Sequence, residues 1–284
     1  MELSLDQIVG LALKLCILSS IFGLGLKASW ADAASLLYRP ELLMRSLFAM
    51  YVLTPLTAML LVLAFPAPQA VEIAVLLMAI SAGAPLLPKK LLKLGVNPPY
   101  IYSLSIIASL LAIVSVPISL AIVAAFVHRS ASIAATEVAY AIATVFLAPL
   151  LAGMVVRRLW PALAERISDQ IIGTANIILL GLILFIGATN LSAIFGAVDL
   201  SGFALIVVMT FAALAIGHVL GGPDSNDRTA LAVACASRFP ALVLLIASLN
   251  YPAAKPLPVV AAYLLFSNLA AIPYLRWRMS GRKA

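Results

Sequence analysis

The chain alternates long apolar runs with short stretches that hold charges, proline or glycine. A run of about 20 apolar residues is enough to cross a bilayer as a helix. Nine such runs can be delimited, at roughly 7–28, 41–65, 69–92, 99–125, 134–156, 172–194, 200–221, 228–250 and 256–276. Helices follow from physics as well as length, because hydrocarbon offers no partner to an unpaired backbone N–H or C=O. The pattern therefore predicts an all-α polytopic membrane protein. The longest connection, about 157–171, reads as a basic amphipathic segment at the membrane surface. No room remains for a water-soluble domain, so residues 1–284 are expected to form one membrane domain.

Two runs are interrupted. The third contains Ser81, Gly83, Pro85 and Pro88, and the eighth contains Ser237, Arg238, Phe239 and Pro240. Proline removes a backbone donor and clashes with the preceding turn, so each helix should kink or open there. The freed backbone groups must then face protein or a wet cavity. Laying Pro85 over Pro240 superposes 79–87 on 234–242, with the two runs crossing in opposite directions. Broken helices at matching places in oppositely oriented halves point to the midplane site of a secondary transporter. The expected repeats are about 1–125 and 134–280, with crossing helices at about 69–92 and 228–250. Two unrelated kinks are the plain alternative, since proline is common in membrane helices.

Composition strengthens the membrane reading. Apolar residues make up 64% of the chain and charged residues 10%, against about 25% charged in an ordinary soluble domain. Neither a soluble globule nor a disordered chain fits that balance. The net charge of +7 would suggest nucleic acid in a soluble protein. Here 14 of the 18 basic residues fall in alternate connections and in the C-terminal tail. That bias predicts an N-terminus outside and a C-terminus in the cytoplasm. No nucleic-acid partner is implied, and the acidic start MELSLDQ carries no sign of a cleavable signal peptide.

With so few charges, those inside spans need a reason. Arg238 lies mid-span, where a charge costs at least about 2.5–3.5 kcal/mol on the insertion scale. It requires a carboxylate such as Glu137 or Asp224, a cluster of carbonyls, or an anionic ligand. Ala84 and Pro85 in the first break, and Ser237 and Arg238 in the second, are the residues expected nearest a midplane substrate. Lys89 and Lys90 follow the first break at once; they serve either as cytoplasmic charges or as ammonium groups in the site. Lys14, two turns into the first run, either snorkels outward or lines the cavity. Ser105 and Ser109 share one helical face, where serines often bond their own backbone. Cys16 and Cys235 read as buried free thiols, with neither disulfide nor metal expected. No GxSxG, HExxH or P-loop occurs, so neither a catalytic residue nor a cofactor is predicted.

These segments together resemble the bile acid:sodium symporter family, over nearly the whole chain. The resemblance is carried by IFGLGLKAS with YRPELLMRSLFAMYVLTPL, by FLAPLLAGMVVRRLWP and by DRTALAVACASRFPALVLLIASLNYP. It implies ten helices, or nine without the first, in two inverted repeats that form a panel domain and a core domain with two crossing broken helices. The family's first crossing carries Pro-Gly-Gly-Thr-Ala-Ser-Asn, which falls on Ser81 to Leu87, so its Ser-Asn pair becomes Leu86-Leu87. The Glu, Gln and Asn of the second crossing fall on Val233, Ser237 and Arg238. Ser105 and Ser109 match hydroxyl positions near a sodium site, and Asn268 matches an Asn near the substrate cavity. The carboxylate that sodium needs is missing.

The leading expectation is a secondary transporter of a small organic anion, working by alternating access without sodium. In it Arg238, with Lys89 or Lys90, would stand in the place of the cations. A sodium-coupled symporter of the bile-acid type and a non-transporting membrane sensor on the same fold remain as alternatives, and an intramembrane enzyme is the remotest. The lipid bilayer, at a bacterial inner membrane, and the organic anion are the expected partners. A monomer is compatible with the sequence, which does not fix the oligomeric state.

Overall fold

The apolar runs fold as helices. The computed structural model describes residues 5–81, 98–126, 140, 143–189, 192, 196, 198–240, 243, 244, 246 and 256–280, with no strand among them. In chain order the helices are α1 (Leu5–Lys27), α2 (Trp30–Ser35), α3 (Pro40–Phe48), α4 (Thr54–Ala64), α5 (Gln69–Ile80) and α6 (Pro98–Phe126). They continue as α7 (Ala148–Leu159), α8 (Pro161–Thr189), α9 (Leu200–Leu220), α10 (Ser225–Ala236) and α11 (Pro256–Ser280). A 3₁₀ turn, Leu36–Tyr38, leads into α3, and π-helical turns at Ala49–Leu53 and Ala143–Leu147 lead into α4 and α7.

Four helical stretches among the described residues are long and apolar enough to span a membrane: Pro40–Ala64, Pro99–Val123, Leu200–Leu220 and Pro258–Ser280. Their exposed faces are apolar too. Leu110, Val114, Ile118 and Ile122 stand four residues apart along α6, and all are exposed. In water such a stripe would be a liability; against lipid it is what the surrounding solvent asks for.

Packing brings α1 together with α7 and α8, and α3–α6 together with α9, α10 and α11. Glycine permits the closest approach in the first set. A Cβ on Gly25 would lie 2.2 Å from the Leu150 carbonyl oxygen, and one on Gly153 would lie 2.3 Å from that of Phe22. Small residues let membrane helices touch backbone to backbone in this way. Arg157 then donates to the Leu26 carbonyl at 3.0 Å, and Lys27 pairs with Asp169 at 2.5 Å. In the second set α5 is buried on every side from Ile73 to Ile80, as an apolar helix without a polar face must be.

The segment at 157–171 is helical nearly throughout. Trp160 alone interrupts it, and Pro161 then opens a single 29-residue helix that continues into the sixth run. Pro at the first helical position is pre-set for the turn and gives up no bond. The third run also differs from a simple span, because α5 stops at Ile80 and Ser81 is extended (φ −66°, ψ 154°).

Candidate functional site

α5 and α10 lie in the two interrupted runs, and both are 12 residues long. Each ends in an extended serine: Ser81 after α5, and Ser237 (φ −95°, ψ 98°) after α10. The helix ends thus pair Ser81 with Ser237, one residue away from the register obtained by aligning the prolines. The last carbonyls of a helix have no partner within it, and they carry its partial negative charge. Both C-terminal ends converge on one side chain.

That side chain is Arg238, which is only 4% exposed. Its Nε donates to the Cys235 carbonyl at 3.0 Å, Nη1 to Ser81 at 3.0 Å and Nη2 to Met50 at 2.9 Å. Of the three ways to satisfy a buried arginine, the structure uses the cluster of carbonyls. No carboxylate pairs with Arg238 among the described residues. Asp224 instead caps α10, accepting from the Asn226 and Asp227 backbone amides at 2.6 and 3.3 Å. Glu137 lies outside the described residues.

Two of these carbonyls lack a helical N–H donor for a covalent reason. Ser81 is four residues before Pro85, whose nitrogen carries no hydrogen to complete a helical bond. At the π turn the Thr54 backbone N–H reaches back five residues to Ala49. In that register the partner of the Met50 carbonyl would be Pro55, again without a hydrogen. The planar fork of arginine presents five N–H groups in fixed directions, so one guanidinium can close all three gaps.

Further residues complete the surroundings. Tyr51, Tyr263 and Cys235 lie within electrostatic range of the guanidinium. The Tyr51 hydroxyl donates to the Ala108 carbonyl on α6 at 2.5 Å, one residue from Ser109. The Ser109 hydroxyl donates to the Ser105 carbonyl at 2.7 Å, so it bonds its own helix. Ser105 Oγ is buried with no hydrogen-bond partner among the described residues.

The other expected site residues are not drawn into this cluster. Lys14 is exposed on α1. Asn268 is exposed on α11, its Nδ2 donating to the Leu264 carbonyl at 2.7 Å. Ser237 is partly buried at the break itself. Ala84, Pro85, Lys89 and Lys90 lie outside the described residues. Sequence reasoning missed the Met50 carbonyl, Tyr51 and Tyr263. The signal for the first was Pro55 within a run otherwise free of breakers. It also missed an ion pair with a buried carboxylate: Asp227 Oδ2, with its side chain 3% exposed, meets Nη1 of the half-exposed Arg39 at 2.9 Å.

Membrane-length apolar helices and two broken half-helices meeting over a buried cation define a polytopic helical membrane protein. The model of the sodium bile acid symporter family matches residues 14–197, and the chain belongs to that family of transporters. The matched stretch covers α5 and ends before α10. Among curated proteins none matches the chain.

Proposed function

We propose that the protein is a secondary transporter of a small organic anion that does not use sodium. The observation that carries this reading is the Arg238 guanidinium on the carbonyls of Cys235, Ser81 and Met50. Helix C-termini and unwound carbonyls are what a transporter offers to a coupling cation. Here a covalently attached cation takes those oxygens. Among the described residues no carboxylate pairs with Arg238, and Val233 stands where relatives would supply one. Sodium wants several hard oxygens with negative charge, and the oxygens in question are already taken. Of the two roles considered for Arg238, replacing a cation fits this geometry better than holding the substrate.

Transport by alternating access would move the α1–α7–α8 group, as the panel, against the group of α3–α6 with α9–α11, as the core. The bile acid of the family's description, itself an anion, supports an anionic cargo. Lys14 supports it as well. An exposed ammonium within a span is costly against hydrocarbon, so it belongs where water reaches, as a cargo pathway beside α1 would allow. Ser237 and Asn268 are further candidates for contact with the cargo, as are Ala84 and Pro85. Lys89 and Lys90 are candidates to share the cation-replacing role with Arg238, beside their part in the basic bias expected of a cytoplasmic face.

A thermal-shift screen of carboxylates, bile acids included, run with and without sodium, tests the reading. A ligand that binds only the native state raises the melting temperature by mass action. The expected result is a carboxylate shift that sodium leaves unchanged and that Lys14→Ala weakens. Uptake into proteoliposomes that required a sodium gradient would defeat sodium independence.

A further inference from the structure

Asp227 is the one carboxylate buried among the described residues, and the transport scheme above gives it nothing to do. It sits in the first turn of α10, the crossing helix that carries Arg238 at its other end. Its partner Arg39 is not on a packed helix. Arg39 lies between the Leu36–Tyr38 turn and α3, in the connection that joins α1 of one helix group to α3 of the other. Within that connection α2 packs on α6 and Leu36 is buried, and three polar contacts fix its end. Ser35 Oγ donates to the Pro99 carbonyl at 3.0 Å, the Leu36 N–H to Ser103 Oγ at 3.1 Å, and Arg39 reaches Asp227. The Arg39 side chain is 47% exposed. It borders an open groove of about 380 Å³ that is also lined by Arg45, Leu42, Gly222 and Pro223. Water therefore reaches the Arg39 half of the pair while Asp227 stays covered.

We infer that Asp227 is a proton-binding coupling site, and that the Arg39–Asp227 pair locks α10 to the start of α3, at the end of the connection from α1, until a proton releases it. The inference rests on the transport reading for its purpose. Its geometry is independent of that reading. A buried carboxylate that loses its only cation must either regain a charge partner or take up a proton. When Arg39 swings toward the groove while α10 keeps Asp227 covered, the carboxylate is left without compensation, and its proton affinity rises. Proton uptake and release of the connection then favour each other. The proton comes from groove water, binds Asp227 and leaves Arg39 charged and hydrated, so charge and atoms balance.

The groups around Asp227 support this sense. Burial raises its carboxyl above the ordinary value of 3.8, and Arg39 opposes the rise. Asp224, ahead of α10, adds to the rise by like charge. Tyr100 on α6 lies within electrostatic range, its hydroxyl paired with Ser46 at 2.9 Å. The remaining cations nearby are engaged elsewhere. Arg228 Nε donates to the Gly222 carbonyl at 2.6 Å, and Arg278 Nε donates to Thr229 Oγ1 at 2.8 Å. The other crossing helix has no such lock. Glu72 in the first turn of α5 accepts only from the Ala67 N–H at 3.3 Å, with no ion-pair partner among the described residues.

Amide hydrogen exchange of the full chain in nanodiscs tests the lock without a ligand. Exchange in residues 28–42 and 225–236, corrected for intrinsic rates, is followed between about pH 5 and about pH 8. Wild type is expected to exchange about tenfold faster in these segments at the acid end. Asp227→Asn should be fast at both ends, Arg39→Ala likewise, and Arg39→Lys should restore the wild-type response. If Asp227→Asn does not fold, the two Arg39 variants carry the same comparison. Exchange in wild type that ignores pH, or an Asp227→Asn protein that keeps the wild-type response, overturns the inference. Uptake of radiolabelled cholate into liposomes separates the two readings. Flux with pH-insensitive exchange removes the lock and leaves transport, whereas pH-gated exchange in a protein that moves no solute leaves the lock and counts against transport.

Discussion

Arg238 Nη1 donates to the Ser81 carbonyl at 3.0 Å, across 157 positions of sequence. That contact ties the broken end of α5 to the broken end of α10, and the Cys235 and Met50 carbonyls anchor the same guanidinium from two further directions. A charge that would be prohibitive in hydrocarbon is thereby placed where three oxygens need a donor. Truncation should be severe. Arg238→Ala removes a charged donor from three buried carbonyls, each such bond worth about 1.5–3 kcal/mol, and the net loss of stability is expected on the order of 3–5 kcal/mol. Arg238→Lys should recover part of it, because an ammonium keeps the charge but loses the fork. A sharper readout comes from salt. If the arginine stands in a cation's place, sodium should raise the melting temperature of Arg238→Ala and leave wild type unmoved. Equal responses of the two proteins to sodium and to choline, at matched ionic strength, would discount the role.

Pro55 acts on the same site from a distance. In the π register of Ala49–Leu53 its missing N–H leaves the Met50 carbonyl without a helical donor, and Arg238 Nη2 takes it. Pro55→Ala supplies the donor. The turn can then relax to an α-helix in which the Thr54 N–H satisfies Met50, and Arg238 loses one acceptor. The local helix improves while a charged hydrogen bond worth about 1.5–3 kcal/mol disappears, so the net expectation is a lower melting temperature. Thermal unfolding in detergent measures it, and a Pro55→Ala protein more stable than wild type would show that the π turn serves no purpose in the site.

Much of this was legible in the chain. The prolines at 85 and 240 marked the two breaks, and the isolation of Arg238 in an apolar run marked it as the residue with most to explain. The acceptors were not legible, because a backbone carbonyl is present at every position and only folding selects three of them. Pro55 could have indicated Met50, but one proline in a membrane helix signals a kink far more often than a ligand. The Arg39–Asp227 pair was hidden for another reason. Both residues sit near the ends of spans, where charges usually face water, and nothing local distinguishes a carboxylate that becomes buried. The boundary of α8 failed on periodicity, since a basic amphipathic turn and a membrane span can share one uninterrupted helix.

The contact of α1 with α7 is set by two glycines. A Cβ at Gly25 would lie 2.2 Å from the Leu150 oxygen and one at Gly153 would lie 2.8 Å from the Leu26 nitrogen, both rigid backbone atoms. Neither neighbour can move aside as a side chain would. Gly25→Ala or Gly153→Ala should therefore push the helices apart, at a cost of about 1–3 kcal/mol for overpacking. The Arg157 to Leu26 bond in the same contact should lengthen with it. Gly173 is the control: nothing lies within 4 Å of a Cβ there, and Gly173→Ala, within a helix, should be neutral or slightly stabilising. Melting temperatures of the three variants rank the positions, and a Gly173→Ala protein as damaged as the other two would show that glycine acts through the helix and not through the contact.

Acid should weaken the start of α9. Asp199 Oδ1 accepts from the Gly202 N–H at 2.7 Å, and the Ser201 hydroxyl lies 2.8 Å from both carboxylate oxygens. These donors, the Gly202 amide foremost, hold the carboxyl below its ordinary value of 3.8. The folded value thus lies under the unfolded one of about 3.9. The cap's ionic contribution is complete above the unfolded value and is lost as pH falls through the folded value. At neutral pH Asp199→Ala should melt below wild type, and the gap should close as pH drops under about 3.9. Asp199→Asn keeps an oxygen for the Gly202 amide but does not titrate, so its advantage over alanine should persist in acid. A wild-type advantage over alanine that stays constant down to the lowest pH measured would assign the capping to the backbone geometry alone and leave the carboxylate no part in it.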